Sequence, residues 1–261
     1  MRPLFLILFW ATVSVAGAET PPPPAVVSPA ASAVEPPAPS PESLATPITA
    51  PAGVPVAQPP PTPAVVPPAM PAAAIVPGES DAAWRPLFAA LAAQGSIWSN
   101  FTESRWFPFR KKPVVLKGEM RFSPTRGLSL NYREPEMRTV IADGKGLAMR
   151  DARGRMREIP PDPRATGPVT ALLPIMRFDL EALERTFSLQ GAREGDAWRL
   201  EFVPRDPGLA RVLGTVIVSG VDTAVRRLEF RHSPKQRVEI LIEGAKAGVS
   251  FTPEDERRFF R

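Results

Sequence analysis

The sequence predicts a mainly β (α+β) fold: a curled antiparallel sheet of about ten strands with helices covering its concave face. Apolar and polar side chains alternate between residues 118 and 151, as in Leu128-Ser-Leu-Asn-Tyr132. Strict alternation is typical of an antiparallel sheet with one buried and one wet face. Asp143-Gly144 is the strongest hairpin signal in the chain. A helical pattern interrupts the strands only once, at 160–186, so we expect the helices on one side of the sheet.

Caps and breakers place the elements in order. Ser80 or Asp81 is predicted to cap a helix that runs to about Gln94 and stops at Gly95. An apolar helix or pair of turns is expected within 168–178, and Asp179 is predicted to cap a further helix. The tail, 253–261, is expected to be one exposed helical turn or disordered. The predicted strands are 96–107, 114–123, 128–133, 137–142, about 147–149, 155–159, 187–190, 197–203, 211–219, 225–232 and 237–243.

The first 18 residues are a predicted secretory signal peptide. Arg2 supplies the positive start, residues 4–15 are apolar, and Ala16-Gly17-Ala18 is a small-residue cleavage site. The apolar part is shorter than the about 20 residues of a membrane span. We therefore expect cleavage after Ala18 and export as a soluble protein, with an uncleaved membrane anchor as the alternative.

Residues 19–78 are a low-complexity tract of proline, alanine and valine without an aromatic side chain. Such a composition cannot bury enough surface to offset the entropy of ordering, so this tract is predicted to be a disordered linker. It would serve either as a spacer or as an extension without a specific partner. The remainder, 79–261, is predicted to be one folded domain.

Several function classes are disfavoured by the composition. The chain has no cysteine, which excludes disulfides and lipidation of an N-terminal cysteine. His232 is the only histidine and there is no G-x-S-x-G motif, so we expect neither a metal site nor an enzyme, and no cofactor. The net charge is +5, with both signs interspersed. That pattern suits a solvated face better than a nucleic-acid surface.

Five short motifs occur in a fixed order: Phe101-Thr-Glu103, Gly118 to Pro124, Tyr132-Arg-Glu-Pro135, Ile141-Ala-Asp-Gly144 and Trp198 to Pro204. In this order the domain, over about 84–245, resembles the periplasmic lipoprotein carriers of the LolA/LolB type. It is particularly similar to the LolA-like proteins that accompany polyene or glycolipid biosynthesis. The resemblance implies a half-open β-barrel with an apolar cavity closed by helices, which binds acyl chains without catalysing a reaction.

The resemblance also implies the location and the cargo. We expect a monomer in the periplasm that carries an acylated lipoprotein or lipid from an inner-membrane donor to an outer-membrane acceptor. The carriers usually place an arginine before the proline of the second motif, where this chain has Ser123 and then Arg126 beyond the proline. The candidate cavity residues, from the strand faces and the helical insert, are Met120, Phe122, Leu128, Leu130, Tyr132, Leu172, Leu173, Met176, Leu200, Phe202, Leu228 and Phe230.

Two alternatives remain open at the level of the sequence. Apolar strand faces also line ordinary filled cores, and an apolar helical insert is explained by core packing as well as by a lid. In that case the domain would be a non-transporting accessory module that docks onto an envelope assembly with a collapsed cavity. The basic turn Arg110-Lys111-Lys112 would then either contact anionic headgroups or an acidic partner, or only solvate the surface.

Overall fold

The computed structural model describes residues 71–160 and 172–261, whose strands form one twelve-stranded antiparallel sheet. The strands are β1 (Ala73–Ile75), β2 (Ile97–Trp106), β3 (Val114–Ser123), β4 (Gly127–Glu134), β5 (Arg138–Asp143), β6 (Gly146–Asp151), β7 (Met156–Glu158), β8 (Phe187–Glu194), β9 (Ala197–Pro204), β10 (Thr215–Val221), β11 (Ala224–Ser233) and β12 (Gln236–Ala247). Their order in the sheet is β1-β8-β9-β10-β11-β12-β2-β3-β4-β5-β6-β7. Within the described residues the edge strands β1 and β7 do not pair, so the sheet is open. The predicted mainly β, antiparallel architecture is confirmed.

Short helices accompany the sheet. They are α1 (Arg85–Ala92), α2 (residues 172–177), α3 (Leu180–Thr186), α4 (Pro207–Leu213) and α5 (Pro253–Phe259), with a 3₁₀ turn at Asp81–Ala83. The predicted cap of α3 is confirmed, because Asp179 Oδ1 accepts a hydrogen bond from the Ala182 amide at 3.1 Å. The predicted cap of α1 is wrong. The Ser80 hydroxyl donates instead to the Ala74 carbonyl, and α1 begins without a side-chain cap.

The predicted strand 211–219 is wrong in its first part. Residues up to Leu213 belong to α4, and β10 begins at Thr215. Asp206 Oδ1 accepts a hydrogen bond from the Leu209 amide at 2.7 Å, and Pro207 takes the first helical position, where its missing amide is harmless. Gly214, with a φ of 67°, ends the helix. These start and stop residues outweigh the apolar side chains that suggested a longer strand.

The sheet begins earlier than the predicted domain boundary. β1 lies within the stretch predicted as linker, and Ala74 pairs with Gln190 of β8. Ile75 is buried in the core. The predicted signal peptide, the linker prediction up to residue 70, and residues 161–171 of the helical insert lie outside the described residues.

The C-terminal tail is helical, as one of the two expectations had it, but it packs against the outer face of the sheet, so the prediction that it is exposed or disordered is wrong. Phe259 and Phe260 are buried, and the Arg121 guanidinium of β3 lies 3.5 Å from the centre of the Phe259 ring. Arg261 donates two hydrogen bonds of 2.7 Å to the Asp143 carboxylate at the end of β5. The tail thereby covers the outer side of β3 to β6.

The main core lies on the concave face of the sheet, and the sequence motifs meet there. Phe101 of β2, Gly118 of β3 and Tyr132 of β4 are aligned in the register. The Phe101 and Tyr132 rings meet edge to face, with centroids 5.3 Å apart. A Cβ on Gly118 would lie 2.2 Å from the Asn131 carbonyl oxygen and 2.9 Å from the Phe101 ring, so this position requires glycine.

Candidate ligand-binding cavity

A cavity of about 220 Å³ lies between the concave face of the sheet and residues 172–178, which we call the lid. Its wall is built from Gln94 just after α1, the lid, the turn between β10 and β11, and strands β2, β3, β10, β11 and β12. Among the described residues of this wall, Gln94 and Thr223 are the only polar ones and none is charged. The lining residues are Gln94, Ile97, Met120, Ile175, Met176, Phe178, Val218, Thr223, Ala224, Val225, Leu228, Ile242, Ala245 and Ala247.

Hydrogen bonds close the rim of the cavity. The Gln94 side-chain amide, just after α1, donates to the Thr223 carbonyl in the turn between β10 and β11. The Gly248 amide, just after β12, donates to the Gln94 carbonyl at 3.0 Å. Three chain segments therefore meet at one exposed rim. Because water can replace such bonds at the surface, the rim can open at low cost in free energy.

The lid closes the cavity with large apolar side chains. Ile175, Met176 and Phe178 all face the cavity. The Phe178 ring meets Phe88 of α1 edge to face at a centroid distance of 6.3 Å, and Trp198 of β9 at 6.5 Å. The lid is thus held between a helix and the sheet by aromatic contacts.

Phe178 also ends the α2 helix in an unfavourable backbone conformation. Its φ is 52°, in the left-handed region that a bulky residue rarely adopts. The Phe178 amide donates to the Ile175 carbonyl and the Asp179 amide to the Pro174 carbonyl, each at 3.1 Å. This pair of bonds is a Schellman motif, whose left-handed position usually holds glycine. A phenylalanine at this position keeps its ring in the cavity wall.

The structure separates the twelve candidate residues into two groups. Met120, Met176 and Leu228 line the cavity. The other nine do not line it and are buried in the surrounding apolar core: Phe122, Leu128, Leu130, Tyr132, Leu172, Leu173, Leu200, Phe202 and Phe230.

Several residues that line the cavity were not predicted, because their sequence patterns only weakly indicate a cavity wall. Ala224, Ala245 and Ala247 are small residues near strand ends, which pattern reasoning treats as neutral. Gln94 and Thr223 are polar residues in connections, and their pairing depends on the three-dimensional fold. Ile175 and Phe178 do belong to the segment predicted as apolar cover, and Ile242 belongs to a strand face that the sequence also predicts to point inward.

A buried polar cluster joins two of the sequence motifs farther along the same strands. The Tyr132 hydroxyl donates to Glu103 Oε2 at 2.6 Å, and Arg105 Nε donates to Glu103 Oε1 at 2.5 Å. Glu103 is fully buried. The Arg138 guanidinium lies 4.8 Å from the centre of the Tyr132 ring. The motif residues Glu103 and Tyr132 are therefore partners within the core.

The pKa shifts in this cluster have clear causes. Burial raises the pKa of the Tyr132 hydroxyl well above its ordinary value, and the negative charge of Glu103 adds to the effect. Burial alone would lower the pKa of Arg105, but the charge of Glu103 raises it above its ordinary value. Tyr132 is thus a neutral donor and Arg105 a permanent cation. Together they stabilise the buried carboxylate of Glu103.

Ser123 and Arg126, at the variable motif position, form their hydrogen bonds away from the lid. The Ser123 hydroxyl stays within its own turn, where it accepts a hydrogen bond from the Arg126 amide at 3.3 Å. Arg126 Nη2 donates to Glu256 of α5 at 2.7 Å. The arginine therefore fastens the C-terminal helix to the sheet.

The described part of the chain carries neither a candidate metal cluster nor a candidate membrane-spanning helix. In the described ranges, 71–160 and 172–261, no group of three or more acidic or histidine side chains is placed to hold a metal ion. None of the helices in these ranges has the length and apolar character needed to cross a membrane.

The sheet, the lid and the apolar cavity define a class of protein: a half-open antiparallel barrel with a helix-covered apolar interior. The chain belongs to the family described as outer membrane lipoprotein carrier protein LolA-like, whose model matches residues 74–256. The family expected from the sequence motifs is thus confirmed. No curated protein sequence matches the chain.

Solved structures with similar chains have low sequence identity to this protein. A LolA superfamily protein from Nitrosomonas europaea is 10% identical, with 66% of this chain and 96% of that chain covered and a TM-score of 0.37. A putative outer membrane lipoprotein-sorting protein domain from Vibrio parahaemolyticus is 7% identical, with coverages of 66% and 93% and a TM-score of 0.35. The Pseudomonas aeruginosa MucA/MucB complex contains a chain that is 14% identical, with coverages of 66% and 58% and a TM-score of 0.36.

Proposed function

We propose that this protein is a periplasmic carrier that binds the acyl chain of a lipoprotein or of another lipid and moves it toward the outer membrane. The observation that carries this proposal is the neutral, apolar cavity closed by the lid and by the Gln94–Thr223 hydrogen bond. Membership in a family described as outer membrane lipoprotein carrier-like supports the same class of cargo. On this proposal the protein catalyses no reaction and needs no cofactor.

An acyl chain suits the chemistry of the wall. No described residue of the cavity wall carries a charge that could compensate a buried ionic group, so the headgroup of a lipid would stay at the rim, near Gln94 and Thr223. Each buried methylene contributes about 0.8 kcal/mol, or about 8 kcal/mol for ten carbons. Association costs roughly 4–15 kcal/mol, so affinity depends strongly on how much of the chain is enclosed.

Full enclosure of a chain requires the lid to move. The cavity of about 220 Å³ is smaller than the roughly 300–1,000 Å³ of typical ligand pockets, so in its closed form it would hold only part of an acyl chain. Outward movement of the lid would carry Leu172, Leu173 and Met176 with it and extend the cavity toward the buried strand residues. The nine candidate residues now in the core would become ligand contacts in that open form.

The transfer steps follow from a carrier of this kind. A monomer would take its cargo from an inner-membrane donor and pass it to an outer-membrane acceptor. The rim hydrogen bonds and the aromatic contacts of Phe178 would be broken on loading and would re-form on release. Export directed by the predicted N-terminal signal would bring the protein into the compartment between the two membranes.

A titration with a dansyl-labelled fatty acid tests the proposal. We expect saturable binding with a blue shift of the dansyl emission, and displacement by unlabelled dodecanoate. Met176→Glu should weaken binding by at least about tenfold, because its carboxylate would face the acyl chain without a partner. The matched control is Arg177→Glu, the next residue of α2, which is exposed and does not line the cavity.

The outcome separates the carrier from the accessory module. Circular dichroism must first show that both variants are folded. If the wild type binds no fatty acid, or if the two glutamate variants lose affinity equally, the cavity is not the binding site. The chain would then be a docking module of the envelope with a filled interior.

A further inference from the structure

The turn between β2 and β3, residues 107–113, combines exposed aromatic and cationic side chains in a way that the cargo cavity does not explain. Phe109 is 80% exposed, the most exposed large apolar side chain among the described residues. It contacts the half-buried Phe107, with ring centroids 5.4 Å apart. The turn therefore presents an aromatic tip to solvent.

Three consecutive cations follow the aromatic tip. Arg110, Lys111 and Lys112 are all exposed, and within the part of the chain that the structure describes none of them forms an ion pair. Arg110 lies over the Phe107 ring, with its guanidinium carbon 5.9 Å from the ring centre. The positive charge of this turn is therefore available to an outside partner.

Neighbouring elements extend the positive charge. Arg237 of β12 pairs in register with Trp106, the last residue of β2, and its guanidinium lies 4.0 Å from the Trp106 ring. The exposed Lys235 precedes it in the β11–β12 turn. The nearby acidic residues at the end of β4 and in the β4–β5 turn have partners of their own, since Glu134 lies 3.9 Å from Lys117 and Glu136 lies 3.6 Å from Arg138.

The turn projects beyond the sheet on the side away from the cavity. Glu134, the last residue of β4, pairs with Lys117 of β3. β3 starts three residues before Lys117, at Val114, so the turn that precedes β3 lies beyond the end of β4. The cavity residue Ile97 lies at the opposite end of β2, about 30 Å away along the ten-residue strand. Binding at the turn would leave the rim of the cavity free.

We infer that the turn 107–113 is a membrane-docking element that binds the surface of an anionic phospholipid bilayer, independently of the cargo cavity. The Phe109 ring enters the headgroup region, and Arg110, Lys111 and Lys112 contact lipid phosphates. An anionic bilayer offers an apolar region for the Phe109 ring and phosphates for the three cations. An acidic protein would pair with the cations but would also need an apolar pocket for the ring.

Vesicle flotation with the full-length protein tests this inference. Vesicles of equal parts phosphatidylglycerol and phosphatidylcholine should carry the protein upward, vesicles of pure phosphatidylcholine should not, and high salt should release it. Replacing Arg110, Lys111 and Lys112 together by serine should weaken partitioning by about a hundredfold, since each cation near an anionic surface contributes about fivefold. Phe109→Ser should weaken it as well.

A matched variant separates the turn from net charge. Arg211, Arg226 and Arg257 are exposed cations on other elements without an ion pair among the described residues, so their triple serine variant has the same net charge as the turn variant. It should retain wild-type partitioning. In addition, Phe109→Trp should show a blue shift of its emission with phosphatidylglycerol vesicles. Equal losses from both triple variants, or no binding of the wild type to phosphatidylglycerol, would overturn the inference, and in the second case an acidic protein would be the partner to seek.

Discussion

At the scale of single residues, Phe178 links the backbone of the lid to the wall of the cavity. Its φ of 52° would suit glycine, yet the residue is a phenylalanine whose ring contacts both α1 and β9. A left-handed conformation costs a residue with a Cβ about 1–2 kcal/mol. The packing of the ring in the closed lid offsets this cost. A strained residue of this kind at a lid agrees with the general occurrence of such residues at functional sites.

Replacing Phe178 by alanine and by glycine separates the backbone from the ring. Both variants lose the ring, but Phe178→Gly should be more stable than Phe178→Ala by about 1 kcal/mol, because glycine adopts a positive φ without strain. At Phe88, inside the regular helix α1, the order should reverse, with the alanine variant more stable by about 1 kcal/mol. Urea unfolding of the four variants measures both differences. The same order at both positions would contradict the strained conformation of Phe178.

The Glu103 cluster makes a second residue-scale prediction. Tyr132→Phe should lower the free energy of unfolding by about 2 kcal/mol, because the buried carboxylate loses a short hydrogen bond. In a double-mutant cycle with Glu103→Gln, the two effects should be less than additive, since both changes remove the same bond. Urea unfolding gives the four free energies. Strict additivity would mean that the hydroxyl does not interact with the carboxylate.

At the scale of elements, the C-terminal helix α5 and the residues after it seal the outer face of the sheet. The helix begins with a capping box formed by Thr252 and Asp255. It is held to the sheet by the Phe259 ring and by the bond between Arg261 and Asp143. Burial alone would raise the pKa of Asp143, but the hydrogen bonds from Arg261 and the Lys145 amide lower it below its ordinary value.

This shift predicts a pH dependence of stability. Because the folded pKa of Asp143 is lowered, its contribution is present above the ordinary carboxyl pKa of about 4 and is lost as the pH falls through the lowered value. Arg261→Ala should therefore lower the free energy of unfolding by about 1 kcal/mol at neutral pH and by less in acid. Denaturant unfolding at pH values from about 7 to about 2 tests this. Arg257→Ala, on the exposed side of the same helix, is the control and should leave the free energy of unfolding unchanged at neutral and at acid pH. If the free energy of unfolding of wild type and of Arg261→Ala fell equally steeply as the pH is lowered, the prediction would be contradicted.

The element boundaries show where sequence reasoning succeeds and where it fails. Strand β3 has the predicted bounds because side-chain alternation and a following proline define it locally. Helix α4 was not predicted, and its last three residues were assigned to a strand, since its seven residues are too few to show a helical period and only the Asp206 cap indicates it. The tail was expected to be exposed because most of its residues are charged. Phe259 and Phe260 are buried against the outer face of β3 to β6, which is distant in the sequence, so the local pattern does not indicate their burial.

At the scale of the whole molecule, the two ends of the barrel differ in chemistry. One end holds a neutral apolar cavity whose rim is closed by Gln94 and Thr223. The other carries the cationic and aromatic turn 107–113. We therefore propose cargo binding at one end of the strands and membrane contact at the other.

The cavity could be predicted from the sequence only in part. The motifs gave the family, and the alternating strand faces gave an apolar interior that includes Met120 and Leu228. They could not distinguish which interior positions are filled by neighbouring side chains and which border empty space, because that depends on packing between distant strands. Hence Leu130 and Phe230 lie in the core, while the unremarkable Ala224 borders the cavity.

The central claim, that the cavity holds an acyl chain, is tested most directly by calorimetric titration of dodecanoate into a variant whose cavity is filled. Ala224→Trp places a large ring in the cavity wall, whereas Ala89→Trp places the same ring on the exposed side of α1. We expect Ala89→Trp to bind dodecanoate like the wild type and Ala224→Trp to bind it at least about tenfold more weakly. Equal affinity of the three folded proteins would contradict it, because the ligand would then bind somewhere other than the cavity.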